Sequence, residues 1–147
     1  MKIDKVNIEI IRHLQDGRKS FKKIAEILGI TENTVRSRVN KMNEQGVLQI
    51  VGLVDPGKLP EHQTVLVGVK LNTPRLVEKA KEFMELRGVV SVRVVTGRYD
   101  LFLVVLLNES LDLLQFLSKE IDKISEIQSV ETFVVYAGIN HRVPYIL

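Results

Sequence analysis

Apolar residues recur at helical spacing in the first third of the chain and largely alternate or run together after it, so the sequence divides in two before any motif is considered. In the first part Ile3, Val6, Ile10 and Leu14 predict a helix from Asp4 to about Gln15, ended by Asp16 and Gly17. A second helix starts after Ser20, a good N-cap, and turns Ile24, Ala25, Ile27 and Leu28 toward a core. Gly29 ends it where a left-handed residue is needed. Thr31 caps a third helix, in which Val35, Val39 and Met42 form the buried stripe and Gly46 closes the C-terminal end. Two short helices joined by a tight glycine turn are a helix-turn-helix, and the first helix completes a three-helix domain. Residues 47–54, VLQIVGLV, then read as a strand leading away from it, a winged-type arrangement.

With two prolines and a glycine in eight residues, 55–62 (DPGKLPEH) reads as a linker. Val65, Val67, Val69 and Leu71 share one face of a strand over Gln63–Leu71. Thr73 and Pro74 start a helix bearing Leu76, Val77, Ala80, Phe83 and Met84, which Gly88 ends. Residues 89–96 form a second strand, 97–99 a tight turn and 100–107 a third strand, apolar on both faces. Leu111, Leu114, Leu117, Ile121 and Ile124 line another helix, and 130–137 is the last strand. The expected fold class is therefore α+β in two domains: a three-helix winged-type helix-turn-helix over 1–54, the linker 55–62, and a ferredoxin-like βαββαβ domain over 63–147. In that plan the first and third strands are central and both helices cover one face. Valines and Phe133 are left on the other, and an uncovered apolar face implies a partner, best met by a second copy in a two-fold dimer.

Charge separates the same two halves. Residues 1–54 hold ten Lys or Arg against six Asp or Glu, whereas 55–147 hold eleven against twelve, so the excess that suits phosphate lies with the helix-turn-helix. Opposite the buried stripe of the third helix stand Asn33, Thr34, Ser37, Asn40 and Lys41, with Arg36 and Arg38 on the rims. Asn suits adenine, Arg and Lys suit guanine or phosphate, and Ser or Thr serve either, which is the chemistry of a major-groove helix on double-stranded DNA. The same pattern also fits a two-helix hairpin with a wet face. Phe21 is the one aromatic in this half, too few stacking platforms for a single-strand binder.

Other chemistry is poorly represented. There is no cysteine, so disulfides, zinc-thiolate sites and thiol catalysis are excluded, in keeping with a reducing cytoplasm. The N-terminus is charged from Lys2 onward, unlike a signal peptide, and the longest apolar run, Leu101–Leu107, is far short of a membrane span. His13, His62 and His141 lack metal-ligand spacing, no serine sits in a nucleophile elbow, and GRYD resembles no phosphate loop. Neither a metal, a cofactor nor a catalytic residue is expected.

The whole chain resembles the Lrp/AsnC family, the leucine-responsive or feast/famine transcription regulators. The resemblance is carried by IDKVNIEIIRHLQDGRKSF, AEILGITENTVRSRVNKMNEQGVLQ, VDPGKL and VTGRYDLFLVV, in that order. Asn7 departs from it, since the family usually has an acid there. The resemblance implies a DNA-binding domain joined to a regulatory domain, homodimers often assembled as a ring of four, an octamer, and a small effector, commonly an amino acid, held between dimers. It carries effector contacts onto Gly97, Arg98, Tyr99 and Asp100, with further contacts matching Thr132 and Val134. The turn's chemistry agrees, because backbone N–H groups around a glycine turn hold a carboxylate and Asp100 offers an acceptor to an ammonium. Gly97 and Asp100 are equally what a hairpin turn favours. Two other functions stand beside an effector-responsive regulator. One is a sirohaem-decarboxylase-like enzyme, although GVLQIVGLV lacks the basic residues a tetrapyrrole needs. The other is an architectural protein that binds DNA without a ligand.

Overall fold

The computed structural model describes residues 2–147, which divide into two compact units between Val51 and Gly52. The first holds α1 (Lys5–Leu14), α2 (Phe21–Leu28) and α3 (Glu32–Glu44). Each starts at a capping side chain that satisfies a free backbone N–H: Asp4 accepts from Asn7 at 2.8 Å, Ser20 from Lys23 at 3.2 Å and Thr31 from Thr34 at 3.2 Å. Gly29, at φ 65°, turns the chain between α2 and α3. Ile10, Ile24, Ala25, Val35, Val39 and Met42 close the core. Ile27, expected inside, is 50% exposed, because the buried stripe follows Ile24, Ala25 and Leu28 and Ile27 lies off it.

The strand expected over 47–54 is reduced to two residues. Leu53–Val54 (β1) pairs antiparallel with Val143–Pro144 (β6), while Val47, Ile50 and Val51 are exposed and unpaired. The first unit thus consists of helices alone among the described residues. The segment 55–62 belongs to the second unit: Asp55 accepts from Gly57 N at 3.0 Å, opening a 3-10 turn over Pro56–Lys58 in which Pro56 is buried.

The second unit is built on four antiparallel strands in the order β3 (Val89–Val94), β4 (Leu101–Leu107), β2 (Gln63–Leu71), β5 (Ile127–Val134). In chain order the first and third are central, as the ferredoxin-like plan requires. Val65, Val67 and Val69 meet Val105, Leu103 and Leu101 across the β2–β4 ladder, and all six are fully buried against the helices. The opposite face is divided. Thr64 and Leu106 are paired there and buried, Thr64 beneath the His141 imidazole at 3.1 Å. Leu66, Phe102, Val104 and Phe133 are the apolar residues that follow on the same face, so one valine and two phenylalanines stand where several valines were expected.

Helix α4 (Leu76–Met84) lays Leu76, Ala80 and Phe83 on the sheet, while Val77 and Met84 face solvent at 62% and 42% exposure. Lys79 is buried on the inner side, its ammonium held by Glu82 at 2.8 Å, Ser125 at 3.1 Å and Glu126 at 3.4 Å. The second helical stretch, α5, covers 113–123 and contains a π turn over Phe116–Glu120. Leu113, Phe116, Leu117, Ile121 and Ile124 pack inward, whereas Leu114, expected inside, points out at 74% exposure because it lies off the stripe that Leu113, Phe116 and Leu117 define. Glu120, on the same inner side, accepts from the Arg87 backbone N–H at 3.2 Å and from Lys123 at 2.6 Å. Replacing Phe116 by alanine is expected to cost about 3–5 kcal/mol and Leu114→Ala less than about 0.5 kcal/mol. Urea unfolding followed by circular dichroism compares the two, and equal losses would contradict the observed helix phase.

Candidate DNA interface and effector turn

Because Val35, Val39 and Met42 fix the inner side of α3, its outer side is set by helix geometry. Asn33, Ser37, Asn40 and Lys41 are exposed there together and line one shallow groove. Thr34 is half-buried, with its hydroxyl 2.8 Å from that of Thr31, which makes it part of the cap. Arg36 is exposed but engaged, 2.7 Å from Glu32 and stacked over the Phe21 ring at 5.4 Å.

Arg38 does not stand on a free rim as its place on the helix suggests. Its Nη1 donates to Asp4 at 2.8 Å and to the side-chain oxygen of Asn7 at 2.8 Å, tying α3 to the start of α1. The guanidinium holds the Asp4 carboxyl below its usual range, chiefly through that hydrogen bond. Asn7 is fully buried, and its Nδ2 has no partner, since an amide brings two donor hydrogens to a place prepared for an acceptor. Lys2, in the sequence only a charge unlike a signal peptide, lines a second groove beside Asn33, Ser37 and Lys41.

In the second unit the turn 97–100 joins β3 to β4, and Gly97, at φ 130°, has a backbone that a side chain would strain. Tyr99 folds back onto the open sheet face, its ring lying over Gly68 so closely that a Cβ there would sit 2.9 Å from ring carbons. It meets Phe102 and Phe133 edge-on at centroid distances of 5.2 and 6.3 Å. The Tyr99 hydroxyl donates to Glu131, which pushes the phenol's pKa up, and Arg98 reaches the same carboxylate at 3.2 Å. Glu131 is not among the residues expected at this site; its one signal in the sequence is an acid one residue before Thr132.

Asp100 also departs from expectation. It does not wait as a free acceptor, because Oδ1 receives Lys70 Nζ at 2.8 Å and Oδ2 the Leu71 backbone N–H at 2.9 Å. Thr132 and Val134 lie across the sheet from Tyr99 and Glu131: they pair with Val67 and Val65 on the helix-covered face. The structure therefore joins Arg98 and Tyr99 with Glu131, and separates Thr132 and Val134 from them.

Two matches span both units: residues 3–43 match the AsnC-type helix-turn-helix domain and residues 64–144 the Lrp/AsnC ligand binding domain. The chain belongs to the Lrp/AsnC family. An uncharacterized HTH-type transcriptional regulator of Pyrococcus furiosus is 33% identical over 135 residues, 90% of this chain and 91% of the relative. The regulatory protein AsnC of Haemophilus influenzae is 30% identical over 135 residues, 90% of each. Among solved structures, E. coli AsnC superposes with a TM-score of 0.69 at 26% identity, covering 94% of this chain and 95% of that one. A Neisseria meningitidis transcriptional regulator in complex with L-Met has the same fold, with a TM-score of 0.71 at 19% identity over 99% and 96% of the two chains. The Lrp/AsnC relatives are transcriptional regulators, and among the described residues no helix is long and apolar enough to cross a membrane.

The clamp on Asp100 has a consequence for acid stability. Lys70, first, and the Leu71 amide hold its carboxyl below the usual range, so the folded state favours the charged form. That contribution is present above the unfolded carboxyl pKa of about 3.9 and is lost as pH falls through the lower folded value. Asp100→Asn is expected to flatten the loss of stability below about pH 4, read from unfolding midpoints between pH 7 and pH 2. A variant whose acid limb matches that of the wild type would show that the clamp contributes nothing.

Proposed function

We propose that this Lrp/AsnC protein is a sequence-specific transcription regulator that reads double-stranded DNA with α3 and responds to a small effector, an amino acid, at the turn 97–100. The observation that carries the DNA reading is the exposed quartet Asn33, Ser37, Asn40 and Lys41, four unengaged polar side chains on one helix face. Base edges in a major groove supply partners for the amides and the hydroxyl, and a phosphate supplies one for the lysine. Arg36 and Thr34 flank that contact, and Arg38 acts by holding the helix at its angle.

The effector reading is supported by the match of 64–144 to a ligand binding domain and by the L-Met held by the Neisseria regulator of the same fold. At the turn, backbone N–H groups and Arg98 suit the carboxylate of an amino acid, and Glu131 is the nearby acid that suits its ammonium. Dimerisation through the open face is supported by Tyr99, Phe102 and Phe133, whose rings form an aromatic patch on it. Dimers assembling further, up to an octamer, would align several helix-turn-helix units on DNA in the cytoplasm.

The DNA assignment is tested on sites enriched from random duplexes. Asn33→Ala, Ser37→Ala and Asn40→Ala are expected to lower the ratio of specific to random affinity, each by about 1–3 kcal/mol, while Lys41→Ala weakens both and reduces the salt slope by about 0.9. Uniform losses in all four variants would place the readout elsewhere. For the effector, one of the twenty amino acids is expected to stabilise the protein by about 2.7 kcal/mol at a hundredfold excess over its dissociation constant, and to change the sedimenting mass. If none shifts the melting temperature while DNA binding remains, an architectural role replaces the regulatory one.

A further inference from the structure

Three arginines of the second unit, Arg87, Arg93 and Arg142, make no ion pair among the described residues, and two of them share a pocket. Arg75 pairs with Glu126 at 2.9 Å and Arg98 with Glu131 at 3.2 Å, while Arg87 bonds Ser110 through its hydroxyl and its carbonyl. Arg93 reaches only the Ser91 hydroxyl, at 2.9 Å, and Arg142 makes no ion pair or side-chain hydrogen bond among the described residues. Both line one pocket of about 360 Å³ between the outer face of β3 and β4 and the β6 segment, together with His141 and Ser91, over an apolar surface that includes Val104 and Val143. None of the lining residues is acidic.

Two guanidiniums without an ion pair beside a partly apolar hollow create a local positive potential that none of the lining residues neutralises. Each planar fork offers parallel N–H donors matched to the oxygens of a carboxylate or phosphate. The hollow is of a size for a small molecule, not for a protein segment. His141 is anchored to Thr64, so one wall of the pocket is fixed by the sheet. We propose that this pocket binds a small dianion, a dicarboxylate or a phosphate, at a site separate from the turn 97–100. Arg93 pairs across the ladder with Phe102, so the bound dianion lies at the border of the aromatic patch and neutralises the charge at its edge.

The test is calorimetric titration of the full chain with succinate and with inorganic phosphate at constant ionic strength, with acetate and chloride as monoanion controls. Saturable binding of at least one dianion is expected, and which of the two binds more tightly tells a dicarboxylate site from a phosphate site. Arg93→Gln and Arg142→Gln should each weaken it about tenfold or more, and Arg98→Gln should leave it unchanged. An equal response to acetate, no saturation, or unaltered affinity in the double variant overturns the proposal. Loss in Arg98→Gln moves the anion to the turn and overturns it too. A wild type that ignores both dianions, with a double variant that loses either DNA affinity or self-association, assigns the arginines to those contacts instead.

Discussion

A strand flanked on both edges leaves no backbone group free, so its side chains alone decide what each face of the sheet becomes. Strand β2 is in that position, between β4 and β5. Its valines commit one face to the helices, and the residues then available to the other face are Thr64, Leu66, Gly68 and Lys70. Three of these reach beyond the sheet: Thr64 anchors His141, Gly68 admits the Tyr99 ring and Lys70 captures Asp100. The turn 97–100 is shaped by β2 as much as by its own sequence.

That dependence explains what is legible in the sequence. Strand β2 is readable with its bounds, because alternation with a fully buried face leaves no second interpretation. The strand order comes from element order and from the apolarity of β4. On α5 only Leu114 misleads, since Leu111, Leu114 and Leu117 form a three-residue repeat while the buried stripe runs through Leu113, Phe116 and Leu117. Lys79 and Glu120 are invisible for a related reason: a charged residue on an inner face is accounted for only when its partners, distant in sequence, are known. Residues 47–54 have the composition of a strand, but only Leu53 and Val54 find a partner.

Site residues are legible in proportion to how local their causes are. The outer face of α3 depends on one helix and its periodicity, and its exposed quartet is readable in full. Arg38 depends on α1, and Asp100 on a strand about thirty positions earlier, so both suggest contacts with outside molecules that are in fact occupied by the protein itself. Glu131 escapes notice because pairing with Gly68, not sequence, brings it under Tyr99.

The neutral side chain at position 7 alters more than one hydrogen bond. Arg38 is already paired with the Asp4 carboxylate, so an acid at position 7 would add a second negative charge beside the groove that Asn33, Ser37 and Lys41 line, whereas the amide of Asn7 accepts from the guanidinium and adds none. Net charge near a surface acts beyond contact distance, out to a screening length of about 8 Å in physiological salt. The orphaned Nδ2 of Asn7 is thus the local cost of a stronger long-range attraction for polyanions, felt as faster encounter before any base is read.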